Sequence, residues 1–114
     1  MAGPLPNAHA AVDRQKLTGY LLALDHPVGG PKAVFFHRLG FRPSAWIELR
    51  DALLDHAKIG EVVSVIENAL GKKYIVQGPL AALNGRVPLV RSVWFVEPGE
   101  QSPRLVTAYP IPGA

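Results

Sequence analysis

A chain of 114 residues, 48% hydrophobic and 18% charged, is long enough for one buried core and too apolar to stay disordered. It has no cysteine, which excludes disulfides, thiolate metal sites and a thiol nucleophile. The formal charge is +3, and from residue 68 onward Lys72, Lys73, Arg86, Arg91 and Arg104 stand against Glu97 and Glu100, so five minus two places the whole excess there. A basic half attracts anions, nucleic acid among them, although solvated lysines and arginines produce the same balance. The opening MAGPLPNAHA lacks a basic region followed by an apolar run, and nowhere do about 18 apolar residues run together. Neither a signal peptide nor a membrane span is expected, and the reading is a cytoplasmic protein. Residues 1–114 read as a single domain, ordered over about 5–110 with arms at 1–11 and 111–114.

Three helical segments come first. Asp13 is placed to cap a helix whose stripe Leu17, Tyr20, Leu21 and Leu24 follows i, i+3, i+4, i+7 and should be buried. DHPVGGP breaks that pattern, after which Pro31 suits the first turn of a second helix, KAVFFHRL, and Gly40 its end. Ser44 can cap a third, AWIELRDALLDHAK, with Trp46, Leu49, Leu53 and Ala57 inward and Glu48, Arg50, Asp51 and Asp55 outward.

After Gly60 the pattern becomes extended. EVVSVIENA and KKYIVQG read as a hairpin turning at Leu70–Gly71, and Asn84-Gly85 supplies the next turn. VPLVRSVWFVE and RLVTAYP are two further strands joined by PGEQSP. Helices first and strands after them, with short connections, predict an α+β fold: about three N-terminal helices packed on one face of a four-stranded antiparallel β-meander. Alternation along the last two strands predicts Val90, Trp94, Val96, Val106 and Ala108 facing the helices, and Arg91, Thr107 and Tyr109 sharing the open face. A register slipped by one residue would dissolve that cluster.

Three stretches carry a resemblance: HPVGGPKAVFF (26–36), YIVQGPL with NGR (74–86), and VRSVWFVEPGEQSPRLVTAYP (90–110). Together they resemble a small bacterial domain family of uncharacterised function, met as a stand-alone protein and as the C-terminal tip of polymorphic toxins. That family is similar in turn to the barnase/EndoU/colicin/RelE (BECR) fold group of metal-independent ribonucleases. The resemblance implies an active site on the open face of the sheet. The chain departs from the pattern with AAL at 81–83, where a Gly-Pro is commoner, and with Ser92, where Thr is usual.

Cleaving RNA without a metal requires a base for the 2′-hydroxyl, an acid for the leaving 5′-oxygen, and cations around the phosphorane. His26 is the acid or base candidate, with capping of the loop beside Pro27 as the structural alternative. Lys32, at a helix start where backbone amides and the dipole favour an anion, is a phosphate ligand or a surface lysine. The donor fork of Arg91 suits phosphate oxygens, the alternative being a pair with Glu67 or another carboxylate. Thr107 and Tyr109 would position the phosphate, or are simply good strand formers. Lys72, Lys73, Arg86 and Arg104 would hold a nucleic-acid backbone. His9, His37 and His56 match no metal spacing, and His56 is expected to interact with the end of the third helix. The expectation is a ribonuclease-like toxin domain with no cofactor, RNA as substrate, a cognate antitoxin or immunity protein as partner, and no membrane contact. The rival is a non-catalytic RNA- or protein-binding module of the same fold, within the same kind of pair.

Overall fold

The computed structural model describes residue 5 and residues 10–111. Helix α1 (Arg14–Lys16) opens as expected at Asp13, whose carboxylate accepts from the Gln15 N–H at 3.1 Å. The backbone then widens into a π-helical turn, Leu17–Leu21. Such a turn carries an extra residue, so the side-chain phase slips and the expected stripe breaks. Leu17 and Leu21 are buried, Tyr20 is half-buried, and Leu24, expected inside, is 56% exposed.

Helix α2 (Gly30–Arg38) has Pro31 in its first turn, and Gly40, at φ 101°, ends it in a conformation that favours glycine. Helix α3 (Trp46–Ile59) is entered through a 3₁₀ turn, Pro43–Ala45. Ser44 lies inside that turn, and Ala45, which has no side-chain acceptor, holds the cap position instead. Leu49, Leu53, His56 and Ala57 are its buried face.

Strands β1 (Glu61–Asn68), β2 (Gly71–Pro79), β3 (Leu89–Val96) and β4 (Arg104–Pro110) form one antiparallel sheet in the order β1-β2-β3-β4. The architecture is therefore the expected α+β one. Val76, Val90, Trp94, Leu105 and Ala108 join Leu17, Leu21, Phe36, Leu49 and Leu53 in the core. Leu105 takes the place expected of Val106. Val93 pairs with Thr107 but Trp94 with Leu105, so Val106 is the extra residue of a bulge and alternation restarts after it. Val96, also expected in the core, is only partly buried near the strand end.

The N-terminal segment is tied at two points. Leu5 is buried and donates its N–H to Ala57 O at 3.2 Å. Ala11 bridges to the start of β4, donating to Pro103 O at 2.8 Å and accepting from Leu105 N–H at 3.0 Å. The remainder of the expected arms, residues 1–4, 6–9 and 112–114 with His9, lies outside the described residues.

Where α3 meets the sheet, His56 is 1% exposed and joins two strands. The Pro79 carbonyl, 3.2 Å from Nδ1, can only accept, so Nδ1 carries the proton; Nε2 then accepts from the Ser92 hydroxyl at 2.8 Å. Ser92 Oγ in turn accepts from Trp94 Nε1–H at 2.8 Å. The interaction expected with the helix end is instead a link to β2 and β3. Burial lowers the pKa of His56, while the backbone carbonyls of Pro79 and Gly78 act weakly the other way. The unfolded chain therefore binds the proton at a higher pH than the native one. The stability due to neutral His56 is complete above the ordinary histidine range and is lost as pH falls below it, at up to about 1.4 kcal/mol per pH unit. Urea midpoints measured from pH 8 down to pH 5 are expected to fall, and the slope is expected to flatten in His56→Gln.

Candidate functional site

Tyr20 is the hub of a polar cluster between the helices and the outer strand. Lys32 Nζ, from the first turn of α2, donates to its hydroxyl at 2.9 Å. The same hydroxyl lies 3.1 Å from Thr107 Oγ1 on β4. In that second bond either hydroxyl can be the donor, and once Tyr20 is ionised only Thr107 can be. Because β4 is the edge strand, the helical layer can reach Thr107 past its outer side, and Tyr20 does so. Lys16 Nζ stands 5.2 Å and Lys32 Nζ 5.3 Å from the Tyr20 ring centroid, both within cation–π range. Partial burial works to raise the Tyr20 pKa, but the hydrogen bonds from Lys32 and Thr107 and the charges of Lys32 and Lys16 outweigh it and leave it lowered.

His26 packs edge-on against Tyr20, with ring centroids 5.1 Å apart. Its Nδ1 accepts from the backbone N–H groups of Val28 at 3.0 Å and Gly29 at 2.8 Å, and its carbonyl accepts from Gly30 at 2.8 Å. His26 therefore fills the structural role weighed for it, capping the loop that enters α2. Two donors on Nδ1 fix the ring proton on Nε2, which makes Nε2 a hydrogen-bond donor. The same bonds occupy the amides expected to greet a phosphate at the start of α2, and Pro31 has none to offer. Lys32 is the group at that helix start that meets the cluster.

Arg91 and Tyr109 sit one row along from Thr107 on the open face, Arg91 pairing with Tyr109 and Val93 with Thr107. Directly paired side chains stand about 5 Å apart at Cβ and diagonal ones about 7–8 Å. Arg91, Thr107 and Tyr109 thus share a face in the expected register. Arg91 Nη2 donates to Gln77 Oε1 at 2.8 Å, a neutral amide from the neighbouring strand. Among the described residues no carboxylate pairs with Arg91, and Glu67 lies 4.0 Å from Lys72 instead. Arg91 Nε is buried without an acceptor.

The four residues expected to hold a nucleic-acid backbone do not make one patch. Lys73 and Arg104 flank Phe95 at the far end of the open face, and Arg104 is bonded to Glu97 at 2.8 Å. Lys72 alternates onto the other face, and Arg86 is exposed in the turn before β3. A cleft of about 830 Å³ lies elsewhere, between the β1–β2 turn and the β3–β4 loop. Glu67, Glu97 and Glu100 line it against Lys72, a balance that repels phosphate. Among the described residues no group of three or more His, Asp or Glu side chains is placed to hold a metal, and no helix is long and apolar enough to cross a membrane.

Sequence comparison matches residues 4–112 to a domain of unknown function, DUF6883. The chain belongs to the DUF6883 family. No curated protein matches this DUF6883 domain. Among solved structures it is similar to a chain of a contact-dependent growth inhibition toxin–immunity protein complex from Klebsiella pneumoniae 342. The TM-score is 0.72 at 18% identity, over 93% of this chain and 97% of that one. At that identity the likeness shows a common fold.

Proposed function

We propose that this domain is a metal-independent, ribonuclease-like toxin domain of the BECR type, acting in the cytoplasm and restrained by a cognate immunity protein or antitoxin. The observation that carries the reading is that, among the described residues, two cations of the cluster have no counter-ion. Arg91 is bonded to an amide with its Nε–H unsatisfied, and Lys32 is bonded to a phenol, on either side of Thr107. A half-buried arginine lacking an acidic partner favours an anion that brings its own oxygens, and a phosphodiester fits the fork. The toxin–immunity complex that shares the fold supports the toxin setting and the protein partner.

In this reading RNA lies along the open face, with Lys73, Arg86 and Arg104 contacting its backbone. Arg91 and Lys32 neutralise the scissile phosphate as it gains charge, while Thr107 and Tyr109 position it. His26, whose ring proton sits on Nε2, contributes a hydrogen bond rather than an acid–base cycle. That commitment of His26 to the α2 loop is what favours the second reading, a non-catalytic RNA- or protein-binding module.

Purified protein incubated with total RNA in excess EDTA separates the two. The expected products are fragments with 2′,3′-cyclic phosphate ends, formed more slowly by Thr107→Val. Intact RNA at high concentrations of folded protein would overturn the ribonuclease reading and favour the binding module.

A further inference from the structure

His26 leaves the site without a group to take the proton of the attacking hydroxyl, because its Nδ1 faces two backbone donors and its Nε2 already holds a proton. We propose that Tyr20 is the general base of the site, accepting the proton of the RNA 2′-hydroxyl. The proposal rests on the ribonuclease reading above.

The geometry around Tyr20 is suited to a phenolate. The charged and titratable groups that face it are Lys16 from α1, His26 from the connecting loop and Lys32 from α2, while β4 presents the hydroxyl of Thr107. Both ammonium groups stabilise the anion, and the Thr107 hydroxyl, 3.1 Å away, can donate its proton to the phenolate. The lowered pKa of Tyr20 has the same origin. Thr107 shares its face with Arg91, so the atom to be deprotonated and the phosphate to be held fall within one site.

The step balances as a transesterification. The phenolate oxygen takes the 2′-hydroxyl proton as the O2′–P bond forms and the P–O5′ bond breaks. The departing 5′-oxygen takes a proton from solvent water, and Tyr20 releases its own proton to solvent. The products are a 2′,3′-cyclic phosphate and a 5′-hydroxyl, with no change of oxidation state.

The test follows cleavage of RNA in EDTA from pH 5 to pH 10 by the wild type, Tyr20→Phe and Lys32→Met, each checked for folding by circular dichroism. In parallel, the ultraviolet tyrosinate signal of the wild type minus that of Tyr20→Phe titrates Tyr20 directly, without RNA. The wild-type rate is expected to rise with pH along a limb that coincides with the Tyr20 titration. Lys32→Met is expected to move both to higher pH. Tyr20→Phe is expected to lose at least about 100-fold and to have no such limb. Tyr20→Phe within tenfold of the wild type, or a limb that does not follow the Tyr20 titration, would overturn the base assignment and leave the ribonuclease reading standing. A folded wild type that leaves RNA intact would overturn both.

Discussion

Ser92→Ala is expected to lower the unfolding free energy by about 3 kcal/mol, because it orphans two buried polar groups at about 1–3 kcal/mol each. Ser92 is fully buried, and its hydroxyl serves both Trp94 Nε1–H and His56 Nε2 at 2.8 Å. Both rings are buried, so neither can turn to a water as its replacement partner. Removing one oxygen therefore breaks the chain that ties α3 to β3, whereas Ser92→Thr keeps the hydroxyl and is expected to lose far less. In thermal unfolding the alanine variant should melt about 12 °C lower, at about 4 °C per kcal/mol for a chain of this size. A shift below about 3 °C would show that the hydroxyl satisfies neither ring.

The same residues mark how far the sequence could be read. Period-2 alternation after Gly60, and glycines at the two turns, are enough to place four strands, whereas the register that sets Arg91 beside Tyr109 stays open to a one-residue slip until the pairing itself is seen. The bulge at Val106 was not legible, since inserting one residue leaves no compositional trace in LVTA. It exchanged Leu105 for Val106 in the core while leaving Thr107 on the open face. His56 falls three residues after Leu53 on the same helical stripe, so its burial was readable from spacing, but its partners on two strands were not.

Tyr20 was hidden by its neighbours. Between Leu17 and Leu21 it completed an apolar stripe, and only the π-turn frees its hydroxyl to meet Lys32 and Thr107. Gly19 in mid-pattern is the one local signal that a regular helix was compromised. His26 is the opposite case. Its proximity to the site was anticipated, but the direction of its ring depends on amides two and three residues later, which pattern analysis does not see. Long-range side-chain bonds, rather than element boundaries, are what separate the site expected from the sequence from the candidate site in the structure.

Arg91→Ala is expected to reduce RNA cleavage about 100- to 1,000-fold, the scale of losing a group that meets charge developed in the transition state. The fold should tolerate the change. Arg91 is half-buried on the open face, its bond goes to Gln77, and among the described residues it enters no ion pair. Arg91→Lys separates charge from shape: a lysine supplies the charge but not the fork, so it should recover part of the rate and leave it about 10- to 100-fold below the wild type. Full recovery by lysine would mean that the site needs only a positive potential, and Arg91 Nε, now buried without an acceptor, would have no part in holding phosphate. Unimpaired cleavage by the alanine variant would place the reaction away from the open face. The phosphate would then have to be held by Lys32 and Lys16 at the outer side of β4, where Tyr20 already gathers both.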